Sequence, residues 1–260
     1  MGYEIGFYLL STIFLLYWIY NPSEKVAKRL GLTFLGLGFI TFTVESLFQI
    51  IGFGQVGRET TLSVFQILAN TTVAVFYFVL VRFRKLNVVR FAPVVSSLAL
   101  FFSLLGLKLG VFGSDAGGLP VLHVFTSVLA FTLLTLSAVA SLFRLFAERQ
   151  LKRGSLKLPL GLPLNLWVTL ERKFFFFGFV FLTLNLVLSF LWLQITTGSV
   201  RCDSRICATV ALWFYYLLLF HLERFGIEPF KSRFYLFNLL GAIFAVAVLA
   251  FTHHSFNVRG

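Results

Sequence analysis

Long apolar runs separated by short polar connections dominate the chain, and the runs decide its class. Eight can be marked, Tyr3–Tyr20, Leu32–Phe53, Thr61–Val81, Phe91–Leu107, Leu119–Phe146, Phe174–Ile195, Ile206–Leu222 and Phe234–Thr252. Each is near the ~20 residues that a helix needs to cross the hydrocarbon core of a bilayer. A backbone in lipid must satisfy its own hydrogen bonds, so all eight read as helices. The fourth is the shortest and begins with Pro93, which the first turn of a helix tolerates. The expected fold is therefore all-α: an integral membrane protein of about eight transmembrane helices, one domain over residues 1–260, without an internal repeat.

Composition supports this pattern. The chain is 58% hydrophobic and 12% charged, against roughly 45–50% and 25% in soluble domains. A net charge of +12 would suggest nucleic acid in a soluble protein. Here the basic residues lie in short runs between apolar stretches, so they report orientation and not a nucleic-acid surface. Of the 22 Lys and Arg, only Arg58, Lys108, Arg201, Arg205 and Arg259 fall in the connections after even-numbered runs or in the C-terminal tail. The positive-inside rule then puts both termini and the loops around Asp115 and Cys202 on the outer face, with the basic connections in the cytoplasm. The first run has neither a basic segment before it nor a small-residue cleavage site after it, and reads as a retained span. The expected location is the inner (cytoplasmic) membrane. The connection holding Pro159, Pro163 and Trp167 reads as an interfacial segment with a tryptophan anchor.

Candidate chemistry comes from the few polar groups in and near the spans. His221 lies about fifteen residues into a run entered from outside, which is roughly 22 Å deep at 1.5 Å per residue. Ionisable groups at such depth are costly and are functional candidates by default. His123 lies at the outer end of the fifth run, and His253 and His254 at the outer end of the eighth. An iron porphyrin takes histidine ligands and an apolar, aromatic cradle, which makes two haem sites a reading of this pattern. The plain alternative is a set of polar anchors and one imidazole bonded to a neighbouring helix. Arg201 and Arg205 offer guanidinium forks to haem propionates, or else face water. Cys202 and Cys207, with four residues between them on the oxidising face, read as a structural disulfide, with a redox pair as the alternative. Glu45 and Gln49 on the second run, and Gln66 and Asn70 on the third, repeat one spacing and read as interhelical hydrogen-bond partners, or as a polar wall or proton path. A small-solute transporter has little behind it, because no paired broken helices or inverted repeat marks a central site.

Four segments carry a resemblance: LHVFTSVLAFTLLTLSAVASLFRLFAERQLK, FFFFGFVFLTLNLVLSFLW, ALWFYYLLLFHLE and FKSRFYLFNLLGAIFAVAVLAFTHHSF. Their order and spacing over residues 120–256 resemble the cytochrome c assembly family of haem-handling membrane proteins. That group contains CcsA (ResC), CcmC and CcmF, with the related HemX-like proteins. The first four runs match it only in hydropathy. The resemblance implies external haem ligation by His123 and His254, whose HSF echoes the family's HSY, and an inner haem site at His221. It implies haem b (iron protoporphyrin IX) as cofactor. Between the external histidines the family carries a tryptophan-rich WWD segment. Counting back from Trp213 puts Asp203 at that segment's aspartate and Arg205 at a lysine. Val200 and Cys202 stand at tryptophans, and Ser204 at a proline; Trp192 is the tryptophan left nearby. The resemblance with these departures implies either of two roles. One is a diverged CcsA-like subunit of a haem lyase system, working with a CcsB-type partner and apocytochrome c. The other is a HemX-like haem-sensing or scaffold protein linked to haem biosynthesis.

Overall fold

The computed structural model describes residues 3–51, 64–82, 88–106, 118–154, 158–197 and 204–251. Among these the secondary structure is helical: α1 Tyr3–Tyr20, α2 Lys25–Ile51, α3 Val64–Arg82, α4 Ala92–Gly106, α5 Gly118–Lys152, α6 Leu164–Thr197, α7 Ser204–Arg224 and α8 Phe234–Phe251, with short 3₁₀ turns before α4 and α6. Seven are long and apolar enough to cross a membrane, α4 when joined to the 3₁₀ turn before it as Val88–Gly106, and α8 contributes a shorter apolar stretch, Phe234–Val248. This is the character of a multi-pass membrane protein. Large side chains such as Phe78, Ile195 and Ile243 stand exposed, as lipid-facing residues do and as soluble monomers rarely allow in number.

The helices fall into two compact units, α1–α4 and α5–α8. In each, every helix packs against its sequence neighbours and the fourth returns to the first, closing a four-helix ring.

The interior of the first unit is polar along one seam. Glu4, Tyr8, Ser11 and Thr12 recur at helical spacing on α1, and all are buried. Glu4 accepts a hydrogen bond from Gln66 Nε2 at 3.1 Å. Tyr8 donates to Asn70 Oδ1 at 3.2 Å, while Asn70 Nδ2 donates to Thr43 at 3.1 Å. Ser11 donates to the Gly31 carbonyl at 2.9 Å, and Thr12 meets Ser96 of α4 at 2.9 Å. In a bilayer such bonds replace the hydrophobic drive that soluble helices use to associate. Gln66 and Asn70 thus bond other helices, through Glu4 and Tyr8 of α1 and Thr43 of α2, where the spacing had paired them with Glu45 and Gln49. Glu45 is placed differently: its Oε2 is buried without a hydrogen-bond partner. The side chain of Gln49 lies outside the described residues.

The second unit is built on α5 and α6, which pack along most of their lengths. Gly178 makes this approach close, since a Cβ there would lie 2.9 Å from Leu134 Cγ. Around the pair, Leu134, Phe175, Phe179, Leu182, Leu212, Tyr216, Leu219, Phe234 and Val248 form a core drawn from all four helices. At the C-terminus of α7, Gly226 takes φ +71°, with Gly226 N–H bonded to the Glu223 carbonyl and Ile227 N–H to that of Leu222, both at 3.1 Å. This pair of bonds is the Schellman arrangement, which glycine's freedom at positive φ permits.

The expected interfacial segment with a Trp anchor is corrected here. α6 begins at Leu164, and Trp167 is fully buried, stacked on Phe143 of α5 with ring centroids 4.8 Å apart. The helical period explains the difference. Trp167, Leu170, Glu171 and Phe174 recur at i, i+3, i+4 and i+7, one face of a helix that starts ten residues before the apolar run.

Candidate functional site

Two polar sites organise the second unit, one at each end of α5. The basic end is where α5 and α7 finish and α6 and α8 begin. His123 lies toward the opposite end.

His123 is half-buried on α5, facing a strip of α6 in which Asn185, Ser189 and Trp192 share one helical face. Ser127, one turn along from His123, donates to Asn185 Oδ1 at 2.6 Å. Ser189 Oγ lies 3.2 Å from His123 Nδ1 and 2.8 Å from the Asn185 carbonyl. A hydroxyl has one proton and a carbonyl only accepts. Ser189 therefore donates to Asn185, and His123 Nδ1–H donates to Ser189. In the neutral ring this puts the lone pair on Nε2, the tautomer that ligates metals, with Nδ1 held by a neighbouring acceptor. The Trp192 ring stands beside the imidazole, centroids 6.1 Å apart and planes 30° from parallel. Imidazole and indole, supplied by two helices, thus form one aromatic edge. The donor set suits haem: one imidazole with a fixed tautomer and an aromatic neighbour.

His221 occupies the last turn of α7. Its side chain is exposed, with Nδ1 2.8 Å from the Leu217 carbonyl of its own helix. That carbonyl only accepts, so the neutral ring again carries its lone pair on Nε2. Phe220 and Phe225 flank the imidazole, with centroids 5.4 and 6.0 Å away. His221 bonds within α7, where the sequence reading offered a neighbouring helix.

Trp213 is not brought to the His123 edge. Its Nε1 donates to Thr183 at 3.0 Å, and its ring stacks on Phe179. Thr183 precedes Trp192 by nine residues, about 14 Å along α6 at the helical rise. Cys207 is disulfide-bonded. Cys202, Arg201, Asp203, His253 and His254 lie outside the described residues, as does the side chain of Arg205. Among the described residues no group of three His, Cys, Asp or Glu side chains converges as a protein-ligated metal site would.

The second polar site escaped the sequence reading. At the basic end, Arg144 of α5 donates through Nη1 to Glu171 Oε2 at 2.8 Å, and through Nε to Glu148 Oε1 at 2.9 Å. Its Nη2 donates to the Ser232 carbonyl at 3.2 Å, and its guanidinium lies over the Tyr235 ring, 4.8 Å from the centroid. Glu171 also accepts from Ser141 at 2.5 Å, and Asn238 of α8 donates to both Ser137 and Ser141 at 2.7 and 2.8 Å. Glu171 and Asn238 are wholly buried. The network ties α5, α6 and α8 together through charge-assisted bonds. Its signal was present: Ser137, Ser141, Arg144 and Glu148 recur at i, i+4, i+7 and i+11 on one face of α5.

Set against models of known protein families, against curated proteins and against solved structures, the chain matches none.

Proposed function

We propose that the chain is a haem-binding protein of cytochrome c biogenesis in the inner (cytoplasmic) membrane, oriented with its basic connections in the cytoplasm. The observation that carries this reading is the edge formed by Ser189, His123 and Trp192. The serine fixes the imidazole in its Nε2-ligating tautomer, and the indole offers the aromatic surface that a porphyrin favours. Support also comes from the order of segments over residues 120–256, which resembles haem-handling assembly proteins. His123 and His254 would hold haem b on the outer side, Arg201 and Arg205 would meet its propionates, and His221 would serve an inner site. Bound haem would supply the vinyl groups to which cysteines of an apocytochrome add. The chain's own share is to ligate, orient and shield, with a CcsB-type partner completing the system.

A second reading is favoured by one feature, the absence of tryptophan at Val200 and Cys202. A HemX-like protein that senses haem or scaffolds its synthesis needs no such platform. Haem staining of c-type cytochromes, in cells lacking the protein and complemented with wild type or His123→Ala, separates the two. Covalent haem restored by wild type and not by the variant supports biogenesis. Unchanged c-type cytochromes with altered porphyrin intermediates support the second reading. No change in either overturns both.

A further inference from the structure

The basic end of the second unit holds a groove of about 370 Å³ between α6, α7 and α8, which contains none of the proposed haem ligands and shares only Phe220 with the surroundings of His221. Its lining is layered. Arg172, Glu223 and Arg224 form the rim toward the basic end, and Phe175, Phe176 and Phe220 lie one turn further into the bundle, over Phe234. The phenyl layer is ordered: Phe175 meets Phe234 edge to face with centroids 4.9 Å apart, and Phe220 stacks on Phe179 at 5.5 Å. At the rim, Arg172 Nη2 bonds Glu223 Oε1 at 3.1 Å. One carboxylate thus faces two guanidiniums, leaving a net charge of one positive unit. The rim is open, since Arg172, Phe176 and Arg224 are all exposed.

The layering falls at a particular depth. The apolar run of α6, Phe174–Ile195, covers about 33 Å at the helical rise against a hydrocarbon core of about 30 Å, so its first residue, ten residues from the start of α6, marks the hydrocarbon edge. Arg172 lies eight residues from the start of α6, about 12 Å along it. The guanidiniums therefore sit within a few ångströms of the hydrocarbon edge, and the phenyl rings just inside it.

We propose that this groove binds an anionic glycerophospholipid. Its phosphodiester is held by Arg224 and the Arg172–Glu223 pair, and the first part of an acyl chain runs along Phe175, Phe176 and Phe220. Two observations carry this, the net positive rim and the apolar layer beneath it, together with the length of the apolar run, which puts the mouth at the depth where a headgroup joins its chains. A cationic rim favours a headgroup with net negative charge over a zwitterionic one, and basic recesses between helices at an anionic leaflet have this use. The proposal stands apart from the haem reading.

The test is native mass spectrometry of the full chain in detergent, titrated with dioleoylphosphatidylglycerol or dioleoylphosphatidylcholine. Wild type is compared with Arg224→Gln, Arg172→Gln/Arg224→Gln, and a control, Arg149→Gln/Lys152→Gln, which removes two exposed cations at the same end. The single variant leaves the ion pair intact, so it reports on the groove even if the double variant folds poorly. The expected result is one tightly held phosphatidylglycerol, weakened about fivefold for each groove arginine lost, unchanged in the control, and not matched by phosphatidylcholine. Equal loss in the control would reduce the effect to surface charge and overturn the proposal. Binding unaffected by Arg224→Gln would overturn it too, as would full competition by glycerol phosphate, which would show that no acyl chain is read.

Discussion

Replacing Glu171 with alanine removes one partner of a buried ion pair, and the cost follows from what Arg144 has left. Arg144 keeps Glu148 at 2.9 Å and the Ser232 carbonyl at 3.2 Å, while losing its 2.8 Å bond to Glu171. The Ser141 hydroxyl loses its carboxylate and keeps Asn238 as a donor. Breaking a buried pair from one side costs about 3–5 kcal/mol. The retained partners place Glu171→Ala near the lower bound, about 3 kcal/mol. The variant Arg144→Met/Glu171→Leu, which removes both charges of the pair, should cost less than Glu171→Ala, because no fully buried charge is left uncompensated and Glu148, which loses Arg144, is partly exposed. The single variants Arg144→Met and Glu171→Leu and the double form a cycle whose coupling term isolates the pair. Unfolding of detergent-solubilised protein by sodium dodecyl sulfate, followed by far-ultraviolet circular dichroism, gives these values and that of Glu171→Ala. A loss under about 1 kcal/mol in Glu171→Ala would mean that water already reaches Arg144, and the network would not be the tie between α5, α6 and α8 described above.

Other expectations follow from single atoms. Ser189→Ala removes the acceptor for His123 Nδ1–H and should weaken hemin binding about tenfold, the lower range for such supporting groups, while stability changes little; equal affinity in a Soret titration would dismiss the tautomer argument. Tyr216 is fully buried and its hydroxyl has no hydrogen-bond partner, so Tyr216→Phe should be neutral or stabilise by up to about 1 kcal/mol. A clear loss in the same unfolding assay would show that the hydroxyl is bonded, for instance to water.

Hydropathy was enough to place the helices, because a lipid-crossing segment needs only length and apolarity. The first apolar run coincides with α1, and the others differ from the observed helices mainly at their ends. Glu4 and Arg144 fell inside apolar runs and were not singled out, and Glu171 fell in the connection before the sixth run; all three turn inward on the polar faces of their helices. Helical phase carried that information and hydropathy did not: Glu4, Tyr8, Ser11 and Thr12 recur at i, i+4, i+7 and i+8. Trp167 was misplaced for the same reason, since the prolines before it mark the start of α6 and not a loop that contains it. At the candidate site, His123 and Trp192 were both identifiable as residues. Their juxtaposition required the antiparallel packing of α5 on α6, and the role of Ser189 depends on which way one proton points.

Haem binding through His123 is tested most directly by titrating hemin into purified wild type, His123→Ala and His221→Ala while following the Soret band, with free imidazole then added to the His123 variant. The account predicts a low-spin, histidine-ligated spectrum in wild type, its loss in His123→Ala, and partial recovery with imidazole. An unchanged spectrum in His123→Ala, or no specific hemin binding by wild type, would contradict it.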